Sequence, residues 1–253
     1  MITARQPLPP EHGGRRSIHV VAGAVTDAAG RVLIAQRPPG KHLAGGWEFP
    51  GGKLEPGETR TAGLARELHE ELGIVIRDPR PLLRVSHRYP FGDVLIDMWV
   101  VTRYTGEPQG LDGQALRWCT QEELERATAE LLPADAPIVR ALRLPERLIE
   151  ASTPCFVVHR EAVLRQSLEG GGVNGDARLH GVLCATAEEG VAAVRAGADF
   201  LALGDVVADQ DLAALCGAVA VPVFARGVEL ERAWGLGASG VNEIGAESVI
   251  AES

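Results

Sequence analysis

No stretch of this sequence offers about 18 uninterrupted apolar residues, and its opening residues, MITARQPLPPEHGGRRS, contain no apolar signal core. No membrane-spanning segment is expected, and a reducing cytoplasm is the simplest location. Cysteine is sparse and scattered: Cys119, Cys155, Cys184 and Cys216 include no Cys-x-x-Cys pair and have no histidine at zinc-ligand spacing. Each reads as a small core residue rather than a ligand. An excess of positive charge is also missing. The net charge of -9 and pI near 5.3 argue against nonspecific binding to a nucleic-acid polymer, which needs a basic surface. Free nucleotides carried in with a metal ion remain compatible with it. What is present is core material: 45% of the 253 residues are hydrophobic, enough for one large domain or two modest ones.

The most informative stretch runs from Gly52 to Ile74 and reads GKLEPGETRTAGLARELHEELGI. After the turn at Pro56-Gly57, residues 59 to 72 are rich in helix formers and stop at Gly73. A helix is expected there, with Thr59 as its N-cap. On it Glu67, Glu70 and Glu71 fall at i, i+3 and i+4, so three carboxylates share a face, while Leu64, Leu68 and Leu72 form an apolar stripe. Like charges so close destabilise a helix unless a cation sits among them. Hard oxygen ligands suit Mg2+ or Mn2+, which bridge readily to phosphates. The competing reading is a solvated acidic face. The fixed positions of Gly52, Glu58, Arg66 and Gly73 favour the metal site.

Along the rest of the chain, residues 1 to 16 carry no fold signal and are expected to be flexible. IHVVAGAVTD from Ile18, the turn at Asp27 to Gly30 and RVLIAQR predict a hairpin-like pair of strands. A short strand leads from Trp47 into Gly51-Gly52, where two glycines permit a tight turn beside a metal or phosphate. Strands are expected over 82 to 90 and 94 to 104, the second placing Ile96, Met98, Val100 and Thr102 on one face. A polar loop spans 105 to 115, LRWC forms a last strand, and Thr120 to Glu123 has the form of a capping box. A short helical segment follows from Ile138. Strands interleaved with two or three helices predict an α/β sandwich with a mixed sheet over 17 to 146.

The fixed positions within Gly52 to Ile74 match the signature Gly-x5-Glu-x7-Arg-Glu-U-x-Glu-Glu-x-Gly-U, with U apolar, and the stretch resembles that of the Nudix hydrolases. That resemblance implies an α/β/α sandwich. It implies hydrolysis of nucleoside diphosphates linked to another group, with Glu67, Glu70, Glu71 and the Gly52 carbonyl holding the divalent ion. Glu58 would support the metal or order the loop, and Arg66 would orient Glu67 or Glu58.

The flanks IAQRPPGKHLAGGWEFPGGKLEPGET, GEPQGLDGQ and LPADAP resemble the MutT type, whose members hydrolyse 8-oxo-dGTP. The likeness covers 17 to 146. It implies that Arg37 contacts the nucleotide, that Phe49 and Tyr89 line the base pocket, that Asp135 faces the base edge, and that Lys53 is a further substrate-binding residue. Asp112 becomes the counterpart of a catalytic acidic residue, usually Glu in that type, and Asp is one methylene shorter. Taken alone, Asp112 is a turn former, and Phe49 and Tyr89 are equally consistent with core packing. Asp135 departs from the Asn common in that type. An ionised Asp only accepts hydrogen bonds, which favours N7-H of 8-oxo-guanine but repels O6.

From 151 to 253 short apolar strands alternate with helices of about ten residues, in the manner of successive βα units on a parallel sheet. GADFLALGDV, VPVFARG and GASGVNEI resemble the latter half of thiamine-phosphate synthase-like (β/α) barrels. The stretch of about 100 residues is roughly half an ordinary barrel, and GGGVNGDAR at 170 to 178 replaces early units. The polar loops of that family are not retained, so a partial barrel without catalytic activity is expected, acting as a structural or interaction module.

The expected function is a Mg2+-dependent nucleoside triphosphate pyrophosphohydrolase acting on oxidised guanine nucleotides such as 8-oxo-dGTP. Two alternatives stay open: another pyrophosphate substrate, pyrimidine or thiamine-pathway, and a noncatalytic nucleotide sensor or scaffold. The expected partner is a small nucleotide, with neither nucleic-acid polymer nor membrane, and a protein partner through the second domain remains open.

Overall fold

A computed structural model describes residues 17–149, 156–160 and 179–244. The expectations placed on 1 to 16, on Cys155 and on the Gly-rich stretch at 170 to 178 lie outside the described residues.

The first half is built on a mixed sheet of four strands. β1 (Ser17–Val25) runs parallel to β7 (Gly92–Val101) at its centre, with β4 (Gly51–Lys53) antiparallel on one edge and β6 (Arg80–Tyr89) antiparallel on the other. Both faces are apolar. Ala22, Ala24, Ile96, Met98 and Val100 face one core, and Val21, Val25, Trp99 and Val101 face a second. Each core is closed by helices. α1 (Arg60–Leu72) covers the second with Leu64, Leu68 and Leu72, all fully buried, each contributing about 1.5–3 kcal/mol by leaving water. α2 (Gln121–Arg126) and α3 (Ala136–Ala141) cover the first through Leu124, Ile138 and Val139. Helix, mixed sheet and helix form the expected three layers.

Local chemistry sets the helix ends. Thr59 Oγ1 accepts from the Ala62 N–H at 3.2 Å, and Gly73 ends α1 in the left-handed region at φ 72°. Thr120 and Glu123 form the reciprocal capping box of α2.

The expected hairpin of the first two strands is corrected. The chain turns at Asp27 and makes one bridge between Thr26 and Val32, but β2 (Val32–Gln36) joins a separate antiparallel sheet between β3 (Trp47–Glu48) and β9 (Leu116–Cys119). Both strands are apolar on both faces, so each finds buried partners far away in sequence. The strand expected to run to residue 104 is divided: Thr102 is exposed between β7 and β8 (Arg103–Thr105), and β8 pairs with β5 (Val75–Arg77).

The second half carries six parallel strands in the order β10 (Arg147–Leu148), β15 (Gly240–Asn242), β14 (Val223–Ala225), β13 (Phe200–Leu203), β12 (Leu179–Cys184), β11 (Phe156–Arg160). Helices α4 (Ala187–Arg195), α5 (Asp209–Ala218) and α6 (Leu230–Gly235) connect β12 to β15. Alternation divides the sheet's faces. Leu201, Leu203, Val223 and Val241 pack toward the helices, while Leu148, Phe200, Ala202 and Phe224 form a separate apolar cluster. β10 lies in an interval that the sequence pattern assigned to neither domain.

The two halves touch along β6 and α3. Ser239 Oγ donates to the Leu82 carbonyl, and Arg140 pairs with Asp199 at 2.6 Å. Among the described residues no helix is long and apolar enough to cross a membrane.

Candidate active site

Local sequence brings the backbone close to the carboxylate helix. Gly51 adopts φ 151° and Gly52 follows it, so β4 passes directly beside α1. A Cβ on Gly52 would fall 2.1 Å from Glu67 Oε2, and Gly51 N–H donates to Glu71 Oε2 at 3.1 Å. Glycine is required at 52 because Glu67 already fills the space.

Arg66 organises the rest of that face. Its Nε and Nη2 hold the two carboxylate oxygens of Glu58 at 3.0 Å each, its Nη1 reaches Glu67 at 2.8 Å and Glu70 at 3.2 Å, and Nη2 also donates to the Lys53 carbonyl. A planar guanidinium is suited to this many-armed task. Its hydrogen bonds hold the Glu58 carboxyl below the usual carboxylate range against a smaller opposing effect of desolvation. Glu70 is the most exposed member of the group.

Glu67 and Glu71 open onto a cavity of about 530 Å³, within the size range of small-molecule sites. Gly52, Lys53, Arg37, Phe49, Tyr89 and Asp135 also line it. Eight of the residues singled out in the sequence therefore converge. Arg66, Glu58 and Glu70 stand behind the wall as the network just described. Asp112 is not in the wall: its half-exposed carboxylate pairs with Lys41 at 3.5 Å. Its loop is nonetheless fixed to the end of α1, since Leu111 N–H and Gln114 Nε2 both donate to the Glu71 carbonyl.

The cavity holds buried acids. Burial pushes the Glu71 carboxyl up to about 7, with the charges of Glu48 and Glu67 adding to this and the Gly51 N–H and Lys41 opposing it. Burial also raises Glu48, despite its ion pair with Arg37. Asp135 is 4% exposed, and burial, aided by Glu48, lifts its carboxyl well above the usual range against Arg37 and the Phe49 N–H. Asp135 Oδ2 has no hydrogen-bond partner among the described residues. Such a shift favours the neutral acid, which offers one donor and one acceptor.

Local sequence pattern did not single out Glu48, Lys41, His42 and Phe91. Phe91 stacks on Tyr89 at 4.9 Å and on His42 at 4.6 Å, forming an aromatic column in the wall. A charged residue inside the short strand WEFP was a usable signal for Glu48. The other three come from loops that only the fold brings together.

A mixed sheet between helices thus sets one carboxylate-bearing helix on the wall of an acid-lined cavity. The sequence model of the NUDIX domain matches residues 16–142, and the chain belongs to that family. It is similar to the 8-oxo-dGTP diphosphatase of Haemophilus influenzae, 34% identical over 128 residues that make up 51% of this chain and 93% of that one. It is also similar to the CTP pyrophosphohydrolase of Escherichia coli, 40% identical over 128 residues, 50% of this chain and 91% of the other. Among solved structures, the E. coli ORF135 protein in solution is 36% identical and aligns over 53% of this chain and 94% of its own, with a TM-score of 0.46.

The donors on α1 and β4 fit a hard divalent ion in kind: carboxylate oxygens, a backbone carbonyl, and a glycine cradle that any Cβ would fill. Among the described residues no three such side chains enclose a common point, and Arg66 pairs with Glu58, Glu67 and Glu70.

Proposed function

We propose that the first half is a nucleoside triphosphate pyrophosphohydrolase that uses Mg2+ or Mn2+ and releases a nucleoside monophosphate and pyrophosphate. The observation that carries this is one cavity with Glu67, Glu71, Gly52 and Lys53 on its wall together with Arg37, Phe49, Tyr89 and Asp135. The carboxylates would hold the cation with the Gly52 carbonyl, and the cation when bound would neutralise the phosphate chain and lower the pKa of water. Arg66 orients Glu58 and Glu67, and its hydrogen bonds hold the Glu58 carboxyl below the usual range. Lys53 and Arg37 supply charge toward the phosphates and nucleotide, and Tyr89 and Phe91 give the base a flat apolar wall. Asp112 supports the site through its loop, with Lys41 between it and the cavity.

The base is read by Asp135. As a neutral acid it donates to O6 and accepts from N7-H of 8-oxo-guanine, which removes the repulsion expected of an ionised Asp. The same pair of groups fits N3 and the N4 amino group of cytosine, and this favours a second reading in which a pyrimidine triphosphate is the substrate. Similarity to both an 8-oxo-dGTP diphosphatase and a CTP pyrophosphohydrolase supports keeping the two together. A panel of kcat/KM values for 8-oxo-dGTP, dGTP, CTP and dCTP with Mg2+ decides between them. No hydrolysis of any member would sink the enzyme reading, and Glu70→Gln with Glu71→Gln should abolish turnover with the fold intact.

The second half we take as a shortened thiamine-phosphate-synthase-like unit without catalytic activity, acting as a structural or interaction module, in a cytoplasmic protein. Its parallel βα order supports the likeness.

A further inference from the structure

The turn from Leu132 to Asp135 leads into α3 and contains three amides, since Pro133 has none. Two of them are satisfied by backbone. Leu132 N–H donates to the Trp47 carbonyl at 2.9 Å, and Asp135 N–H closes the turn on the Leu132 carbonyl at 2.9 Å. The third belongs to Ala134, which is 1% exposed, and a buried amide must find an acceptor. It donates to a side chain from another element, the Tyr89 Oη at 3.3 Å.

Tyr89 is rigidly held. It is the last residue of β6, paired with Gly92 of β7 across a hairpin turn formed by Pro90 and Phe91. Its buried ring contacts that of His87, with centroids 4.4 Å apart, and that of Phe91, 4.9 Å away. A hydroxyl carried by a packed ring at a strand end keeps its position better than a group on a loop.

The consequence falls on Asp135. It is the N-cap of α3, where an aspartate ordinarily has extended backbone and accepts from an amide of its own helix. Here the backbone is helical, at φ -89° and ψ -18°, and the side chain makes no capping bond. The carboxyl accepts the Phe49 N–H instead, and Asp135 takes its place in the wall of the carboxylate cavity. Side-chain orientation follows the backbone, and the backbone at Asp135 follows the turn that Tyr89 anchors.

We propose that Tyr89 is a positioning residue for base discrimination: its hydroxyl, through the Ala134 amide, keeps Asp135 off its own helix and in the cavity wall. The ring of Tyr89 lines the pocket, and its hydroxyl sets which base the pocket prefers. This rests on the reading of Asp135 as the residue that meets the base.

The test uses the full chain with Mg2+ and Tyr89→Phe, which keeps the ring and removes only the hydroxyl. Wild type and variant are assayed on 8-oxo-dGTP, dGTP, CTP and dCTP, and the readout is the ratio of kcat/KM between the best and the poorest of the four. That ratio should fall at least tenfold in the variant, whereas a change that merely loosened the structure lowers all four values alike. In an Asp135→Leu background the same substitution should remove no further discrimination, because the two residues act as one unit. Hydrogen exchange at the Ala134 amide, followed by NMR, should quicken at least tenfold. An unchanged ratio, a full further loss in the Asp135→Leu background, an Ala134 amide as protected as before, or a wild type that treats the four nucleotides alike would each overturn the proposal while leaving the enzyme reading in place. A wild type that hydrolyses none of the four would overturn the enzyme reading and this proposal with it.

Discussion

The carboxylate of Glu67 occupies the space that a side chain at position 52 would need, with only 2.1 Å between its Oε2 and a Cβ built on Gly52. The neighbouring glycine is constrained differently: a Cβ on Gly51 would meet the Val21 carbonyl oxygen at 2.2 Å, at φ 151°. Two adjacent glycines therefore serve two different ends, one the site and one the sheet.

Gly52→Ala should spare the fold and displace Glu67, lowering kcat by about 100-fold and weakening Mn2+ binding by a similar factor, the scale on which metal-site support acts. Gly51→Ala should instead lose on the order of 3 kcal/mol of stability or more, because backbone cannot yield as a side chain can. Urea unfolding and Mn2+ titration followed by electron paramagnetic resonance check both. Equal behaviour of the two variants would contradict the assignment.

Arg66→Lys keeps the charge and loses the fork. One ammonium cannot hold both oxygens of Glu58 while reaching Glu67 and Glu70. Turnover should fall by about 10- to 100-fold, with steady-state kinetics as the measurement. Wild-type kinetics in this variant would remove Arg66 from the positioning network.

Burial raises the Asp135 carboxyl, and if its neutral form reads the base, as proposed, kcat/KM should decline as pH rises through that elevated pKa. Asp135→Asn, which retains a donor and an acceptor at all pH values, should stay within about tenfold of wild type and lose that alkaline decline. Asp135→Leu, with neither group, should cost about 100-fold or more. A pH profile of the three proteins decides the matter, and an active Leu variant would take base reading away from this residue.

Asp97 gives a stability signature on the acid side. Burial alone would raise its carboxyl, but hydrogen bonds from His19 and Arg84 and the charges of Arg84 and Arg60 outweigh this and hold it at about 2. A pKa depressed in the folded state contributes stability above the unfolded value near 3.8, and that contribution is lost as pH falls toward 2. The loss should be about 2 kcal/mol. Asp97→Asn should be less stable at pH 7 and flatter below pH 4 in urea titrations, and parallel curves for the two proteins would refute the cluster's role.

Features encoded over a few residues were legible in the sequence. The cap at Thr59, the stop at Gly73, the Leu64, Leu68 and Leu72 stripe and the capping box at Thr120 each depend on neighbours within one or two helical turns. The βα alternation after residue 179 is local in the same way. The hairpin failed because β1 finds β7 about seventy residues further on, with Val20 beside Ile96, and nothing local in either strand announces that partner. Likewise Asp97 draws its partners from three other elements, and Phe91 reaches His42 only through the fold. Glu48 was visible as a charge in an apolar strand, but its burial beside Glu71 and Asp135 was not.

The short strand β10 follows directly on the first half yet lies beside β15, the last strand of the second. Leu144 and Leu148 likewise sit in the cluster with Phe200 and Phe224. A gene rearrangement that joined or exchanged the two halves would thus have had its natural breakpoint ahead of residue 144 rather than near 150. Any transplanted second half that begins later leaves its opening strand behind with the donor.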